Sequence, residues 1–525
     1  MDVKRLQHLR LAVEAGSISA AAAALGLSQP ALTKSIRGLE AELGVALLER
    51  RARGVVPTAC GEALLRRAGP VSVLLGDALR EIAALRGGPR EEAAIGAGAL
   101  PRFAAAQARV APITIVINQS PWLDSFRRTV ELYERETGAQ VTLDVNPFAG
   151  SLEKQRNSVR ARQGTTDLLI MNSGWFAEMY FGGFVQPLQD IDPAFPRDPE
   201  VYTLGDTVFF DADSKTMTPR GKLMSVPISP LIPLTYYRGD LYRENGIAGA
   251  PRTFAQLEAN ARKLHRPPRM IGIVQRGARG PHTVAFDFYP YLYGHGGSIF
   301  RNQAANDYTV TLNSPEGRTA LDYYIRLARE CGHPRTAALD QAEVIQAVVT
   351  GRAAHMLTVV AAWSQMDDPQ RSAVVDKIEW APTPSLEGRP TAPGLGHWLA
   401  GVSRNVPDDR QRAAAAFLKW FQTPAAQIAS AKFGAIPIHA AAYRDPIAEE
   451  RRFRWMKPLA EALPHAVNIY QFPEASEVIA VLELGLNRAI AGEITSVAAL
   501  NGMANEIADI MTKYNYRTGK LEPLR

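Results

Sequence analysis

The sequence predicts a chain of several domains: a small, mainly helical module at the N-terminus and, behind it, a much larger α/β region. Three observations carry that prediction. In the first ninety residues apolar side chains recur at helical spacing between glycine stops. From about position 113 short apolar runs alternate with amphipathic stretches, the pattern of strands and helices in alternation. Charge is lopsided as well: of a formal +6 over 525 residues, residues 1–88 hold twelve Lys and Arg against eight Asp and Glu, a net +4.

Composition narrows the possible classes. At about 150 residues per domain the length suggests roughly three domains, and a hydrophobic content of 46% is ordinary for globular protein. Cys60 and Cys331 belong to no CxxC or Cys/His cluster, so neither a disulfide framework nor a metal site is signalled. Asp2, Lys4, Arg5, Arg10 and Glu14 interrupt the positions where an export signal needs an unbroken apolar core, and no run of about 18 apolar residues occurs. The expectation is a cytoplasmic chain with no membrane insertion and no cofactor. The basic N-terminal end points to a polyanion as its partner.

Taken in order, Leu6, Leu9 and Val13 share a helical face and Gly16 stops that helix; "SISAAAAALG" follows as a short helix capped by Ser17 and ended by Gly26. Ser28 is a natural N-cap and Pro30 falls in the next first turn, where its missing N–H costs nothing. Leu32, Ile36, Leu39 and Leu43 then make one buried stripe, which turns Gln29, Pro30, Thr33, Lys34 and Arg37 outward. This is the helix-turn-helix layout, whose second helix lies in the major groove with amide, hydroxyl and basic side chains on base edges and phosphates. A solvated three-helix module is the plain alternative.

Over about the first 65 residues, from "MDVKRLQHLRLAVEAGS" through "LSQPALTKSIRGLEAELG" to "LLERRARGVVPTACGEALL", the sequence resembles without a gap the winged helix-turn-helix of LysR-type transcriptional regulators. The resemblance implies double-stranded operator DNA as partner, with Ser28, Gln29, Pro30, Thr33 and Lys34 as base and backbone readers, Arg37 on phosphate, and Arg50, Arg51 and Arg53 in the wing. Thr33 and Lys34 depart from the family's usual Ser and Arg; the hydroxyl is kept, but the bidentate fork that suits guanine is lost. The family continues into a helix that pairs two subunits. Ala68, Val71, Leu75, Ala78, Ile82 and Leu85 keep a coiled-coil spacing, so residues 66–88 read as a dimerisation helix, kinked at Gly69 and Pro70, in a homodimer or homotetramer.

Residues 89–112 read as a linker, either a flexible tether or a stretch similar to the strand that opens the effector domain of LysR-type regulators. Beyond it, "ITIVI" (113–117) is a buried strand, Trp122 to Thr137 an amphipathic helix with Phe126, Val130 and Tyr133 inward, and "AQVTLDV" and "DLLIM" two more strands. From "WLDSFRRTVELYERETGAQV" through "TTDLLIMNSGWFAEMYFGGFVQPL", "SVPISPLIPLTYYRGDLYRENGI", "YLYGHGGSIF" and "GLGHWLAGVSRN" to "FGAIPIHAAAYRDP", about residues 113–515 of an effector domain expected over 113–525 resemble the bacterial extracellular solute-binding proteins of sugar-type ABC importers. The resemblance implies a two-lobed, type II periplasmic-binding-protein-like fold with ligand between the lobes. One lobe would take about 113–225 and 358–425, the other about 226–357 and 426–525, with hinge strands at Leu223–Pro230 and Met356–Val360.

Aromatic rings bury the flat C–H faces of a sugar while polar groups fix its hydroxyls, so tryptophans at strand ends are the first candidates for a sugar-like effector. Trp122, Trp175, Trp363 and Trp398 occupy such places, each weighed against simple core packing; Asn118, Gln119, Asn172 and His397 are the polar candidates beside them. Asn172 and Ser173 stand where sugar binders often carry acidic residues. The combined expectation is a regulator whose effector module senses a sugar-like metabolite, against two alternatives: a transport protein carrying a fused DNA-binding domain, or a sensor of another solute such as a polyamine. No GxSxG, HExxH or GxxxxGK[ST] motif signals an enzyme.

Overall fold

The computed structural model of this chain describes residues 8–9, 12–13, 17–24, 27–51, 54–58, 60–61, 111–280 and 283–525. The expected dimerisation helix at 66–88, its kink, and the linker up to 110 lie outside the described residues. The described chain forms two compact units, one up to Gly61 and one from Ala111 onward.

In the first unit, α1 (Ile18–Ala24) leads into α2 (Gln29–Leu43). Ser28 caps α2 by accepting the Ala31 N–H, Pro30 sits in the first turn, and Gly44 ends it with φ 69, a left-handed conformation that glycine adopts without strain. Leu32, Ile36 and Leu39 are buried against Leu9, Ala12, Ala21, Ala22 and Leu47. Leu43, expected on the same stripe, is 39% exposed because it lies in the last turn, just before Gly44 redirects the chain. A hairpin of β1 (Leu48–Arg51) and β2 (Gly54–Pro57) follows. It is tied to α2 by Glu40, whose Oε1 accepts the N–H groups of Leu47 and Leu48 at 2.8 and 3.2 Å.

The second unit opens with β3 (Ile113–Asn118), α3 (Leu123–Thr137), β4 (Val141–Asn146), α4 (Phe148–Arg160) and β5 (Leu168–Asn172). Helix α3 turns Phe126, Val130 and Tyr133 inward, as its spacing predicts. Strands β6 (Val185–Gln186), β7 (Ser225–Leu231) and β8 (Pro233–Arg238) come next, then α5 (Val284–Gly294) and α6 (Gln341–Val349). The last strands are β9 (His355–Val359), β10 (Ile378–Ala381) and β11 (Gly396–Ser403).

Two sheets result. In the first, β3 lies parallel between β4 and β5; β11 runs antiparallel to β5 on one side and to β7 and β6 on the other. In the second, β8 is central and antiparallel to both β9 and β10. Each sheet anchors a lobe, and one continuous apolar core runs through both. The chain steps from one sheet to the other at Ile232, whose carbonyl accepts the Val360 N–H at 3.0 Å. All of β7 is committed to the first sheet, so this crossing falls just after the expected Leu223–Pro230 stretch.

The expected lobe boundaries shift in two places. Strand β10 lies within 358–425, yet its residues pair with Thr235 to Arg238 in the second sheet. The helix Pro424–Lys432 packs on α3 of the first lobe, where Thr129 and Ser430 hydroxyls meet at 3.0 Å. Among the described residues no helix is long and apolar enough to cross a membrane, and no cluster of His, Cys, Asp and Glu is arranged to hold a metal ion.

Candidate functional site

On the first unit the residues left over from packing form the candidate surface. Burial of Leu32, Ile36 and Leu39 leaves Ser28, Gln29, Pro30, Lys34 and Arg37 exposed on the opposite face of α2, with Thr33 half-buried. Gln29 Nε2 donates to Thr33 Oγ1 at 3.2 Å, one helical turn on, which holds the amide and hydroxyl beside each other. Arg50 and Arg51 lie on β1, while Arg53 is outside the described residues.

The second unit carries a cleft of about 280 Å³. That volume is at the small end of the roughly 300–1,000 Å³ usual for small-molecule sites, room for one ring rather than a chain of them. Its wall on the first sheet is built at the carboxyl ends of β3 and β5, where ligands gather in open α/β sheets. Asn118 ends β3, Gln119 to Trp122 form the turn into α3, and Asn172 ends β5 directly opposite Trp398 on β11. Trp122 and Trp398 lie 5.5 Å apart between ring centroids, with Phe148 edge-on to Trp398 at 5.9 Å. The facing wall brings Arg276, Thr283, Phe286, Val359 and Ala361, with Asp340 and Gln341 at the start of α6.

Several polar atoms of the cleft have no partner among the described residues: Asn118 Oδ1, Ser120 Oγ and Trp122 Nε1. Asn118 uses its Nδ2 on the Gln119 carbonyl at 3.1 Å, so the side chain is oriented while its oxygen stays free. A buried acceptor and two donors without partners are costly unless something else completes them. Asn172 is more committed: its Oδ1 accepts the Gly174 N–H at 3.2 Å.

The expected ligand residues thus divide. Asn118, Gln119, Trp122, Asn172 and Trp398 line the cleft; Trp175, Trp363 and His397 do not. Trp175 stands behind the wall, against Phe148 and perpendicular to Trp398. Trp363 stacks on Trp455 at 5.1 Å and packs on Phe453. His397 is fully buried on the far face of β11, with Nε2 3.0 Å from Thr207 Oγ1, and burial pushes its imidazole down to about 3. Neighbouring residues of a strand point to opposite faces, so Trp398 at the cleft requires His397 away from it.

Sequence reasoning missed Arg276, Phe286, Phe148 and Asp340. Arg276 reaches the cleft because Ile271 and Val274 run alongside Ala353 and Met356 as parallel bridges, a pairing with no local signature. Asp340 does carry one: it is the N-cap of α6 in a reciprocal box with Glu343.

Residues 3–62 match the family of bacterial regulatory helix-turn-helix proteins of the lysR type, and residues 119–428 match the bacterial extracellular solute-binding proteins. Neither is an enzyme family. The HTH-type transcriptional regulator AbaB of Streptomyces antibioticus is 51% identical over 83 residues, which are 16% of this chain and 26% of that protein. This chain therefore spans about a quarter of the curated regulator's length. A probable amino-acid ABC transporter periplasmic-binding protein, y4oP of Sinorhizobium fredii, is 22% identical over 297 residues, 56% of this chain and 66% of that one. Among solved structures, a solute-binding protein of Agrobacterium radiobacter K84 in complex with ribitol superposes with a TM-score of 0.65 at 24% identity, covering 76% of this chain and 98% of its own.

Proposed function

This chain belongs to the bacterial extracellular solute-binding protein family and joins to it a LysR-family helix-turn-helix, and from that premise we propose that it is a DNA-binding transcriptional regulator whose effector module senses a small, sugar-like solute. One observation carries the reading: a single polypeptide holds both a helix whose polar face is left unpacked and a cleft whose aromatic wall carries unpartnered polar atoms. In this reading Gln29, Thr33 and Lys34 read bases, Arg37 and the wing arginines take phosphates, and Asn118, Trp122, Asn172 and Trp398 hold the solute. The regulator works in the cytoplasm as a homodimer or homotetramer, with the solute closing the two lobes about the crossing at Ile232. It has no catalytic role.

The ribitol found in the related structure supports a polyol or sugar as the solute class. The test is direct. The full chain is used to select duplexes from a random-sequence pool, and is screened by thermal shift against sugars and polyols. A solute at a hundred times its dissociation constant adds about 2.7 kcal/mol of apparent stability. Selection of one sequence, together with a solute that alters its binding, supports the reading; a chain that selects no sequence loses the regulatory half of it.

A further inference from the structure

Arg276 is the feature of the cleft that a neutral sugar leaves unexplained. It is 2% exposed, yet it lines the cleft. Its Nη2 donates to Thr358 Oγ1 at 2.8 Å, its Nη1 to the Thr283 carbonyl at 3.4 Å, and the guanidinium lies 5.7 Å from the centre of the Phe286 ring. A guanidinium has five N–H donors in a fixed fork, so these contacts orient it without filling it. The nearest countercharge is Asp287, with Oδ1 3.1 Å from Arg276 Nε, but the approach is skewed. Arg276 Nε and both Asp287 oxygens make no well-aligned hydrogen bond among the described residues, although the Arg276 backbone N–H and the Thr358 hydroxyl lie close enough to Asp287 to favour its charged form.

Among the described residues, Asp340 and Glu483 are committed to other partners. Asp340 is the carboxylate among the residues lining the cleft, and it is exposed, with Oδ1 taken by the Glu343 N–H at 3.0 Å. Glu483 is buried behind the wall and accepts four backbone N–H groups, those of Gly280, Thr283, Val284 and Ala285. The unpartnered polar atoms on the aromatic wall, Asn118 Oδ1 and Ser120 Oγ, are neutral. A buried guanidinium that lines the cleft and has only neutral oxygens as its hydrogen-bond acceptors matches a carboxylate in shape and charge.

We propose that the solute is a small polyhydroxylated carboxylate, a sugar acid, whose carboxylate docks on Arg276 while its hydroxyls meet Asn118 and Ser120 and its apolar face meets Trp122 and Trp398. The inference rests on the solute-sensing reading and names its ligand class. Burial raises Asp287 to about 7, against the pull of Arg276, and Glu483 pushes in the same direction as burial. Among the described residues Tyr291 and Tyr324 also face Asp287, and burial holds them neutral. An anion on Arg276 raises Asp287 further, so the acid binds together with a proton and binds more tightly as pH falls from 8 to 6. A neutral polyol lacks that dependence.

The experiment is calorimetric titration of the full chain at pH 6 and pH 8 with five- and six-carbon aldonates and uronates and with the corresponding neutral polyols and sugars. At least one acid should bind ten or more times as tightly as its neutral counterpart, and more tightly at pH 6. Arg276→Gln should abolish that preference. The paired variant R276Q/D287N, which removes the buried guanidinium and its neighbouring carboxyl together, guards against loss of fold and should do the same. A neutral compound that binds as tightly as its acid, or an R276Q/D287N chain that keeps the acid preference, overturns the sugar-acid assignment and leaves the sensor reading standing. Binding of neither class overturns both.

Discussion

Trp122 and Trp398 meet with ring centroids 5.5 Å apart and planes inclined at 54°, one from the turn before α3 and the other from the middle of the first sheet. Their contact makes one aromatic wall out of two segments far apart in the chain. Trp398→Phe keeps an aromatic core and should leave the melting temperature within a few degrees while weakening solute binding tenfold or more. Trp363→Ala, away from the cleft, should behave in the opposite way. Loss of a buried indole costs about 3–5 kcal/mol, with solute affinity unchanged in the fraction that remains folded. Melting curves and calorimetry on the two variants separate the roles.

Lys34→Ala and Arg37→Ala should each weaken operator binding and leave the fold and the solute site intact, since both side chains are exposed on α2. A lost phosphate contact weakens binding to all sequences and lowers the salt slope by about one, whereas a lost base contact relaxes sequence preference. Gel-shift titrations at several salt concentrations read both. Unchanged affinity in both variants would remove α2 from the reading role.

Glu483→Ala strips the partner from four backbone N–H groups of the cleft rim, those of Val284 and Ala285 buried and those of Gly280 and Thr283 part-buried. Stability of the second unit should fall by about 3 kcal/mol or more. Glu483→Gln, which keeps an acceptor, should lose less. Urea unfolding followed by fluorescence gives both numbers, and equal stability of all three chains would refute the tether.

The pH dependence has two opposed parts. Burial holds His355 at about 4 and His397 at about 3, so both stay neutral in the folded state and charge on unfolding below about 6.5. Their contribution is complete above 6.5 and is lost as pH falls, by at most about 1.4 kcal/mol per pH unit for each. Asp287 works the other way: raised to about 7, it holds a proton in the folded state, so its contribution is present below about 4 and is lost as pH rises through 7. Asp287→Asn should therefore make stability climb more steeply between pH 4.5 and 7 than it does in the unaltered chain, as measured by urea unfolding at four pH values.

Sensing requires coupling, and coupling is reciprocal. If solute changes operator affinity by some factor, operator must change solute affinity by the same factor, typically about 1–3 kcal/mol. Titration of solute with and without operator duplex measures it. Equal affinities would exclude control through operator affinity.

Local signals were the readable ones. Helix α2 could be read from residues 28 to 44 because its cap, first-turn proline, stripe and terminal glycine all act within the helix itself. Asn118, Trp122, Asn172 and Trp398 were readable as strand-end residues, and strand ends line this cleft. Trp363 was not, because the rings that bury it, Trp455 and Phe453, come from a distant segment. His397 could have been set aside by alternation alone once Trp398 was assigned to the cleft. Strand β10 defeated the lobe boundaries because its partner, β8, lies far back in the sequence, and no periodicity marks which sheet a short strand joins.

The indole cluster also has an optical consequence. Three of the seven tryptophans, Trp122, Trp175 and Trp398, crowd one wall within 5.5 Å of a neighbour, at inclinations of 54° and 89°. Indoles so close and so inclined share their electronic excitations, which gives a paired positive and negative band in circular dichroism. A guest docked against Trp122 and Trp398 should shift that band pair and the blue edge of their emission. The unlabelled protein therefore carries its own spectroscopic gauge of occupancy, readable in the same cuvette as a titration.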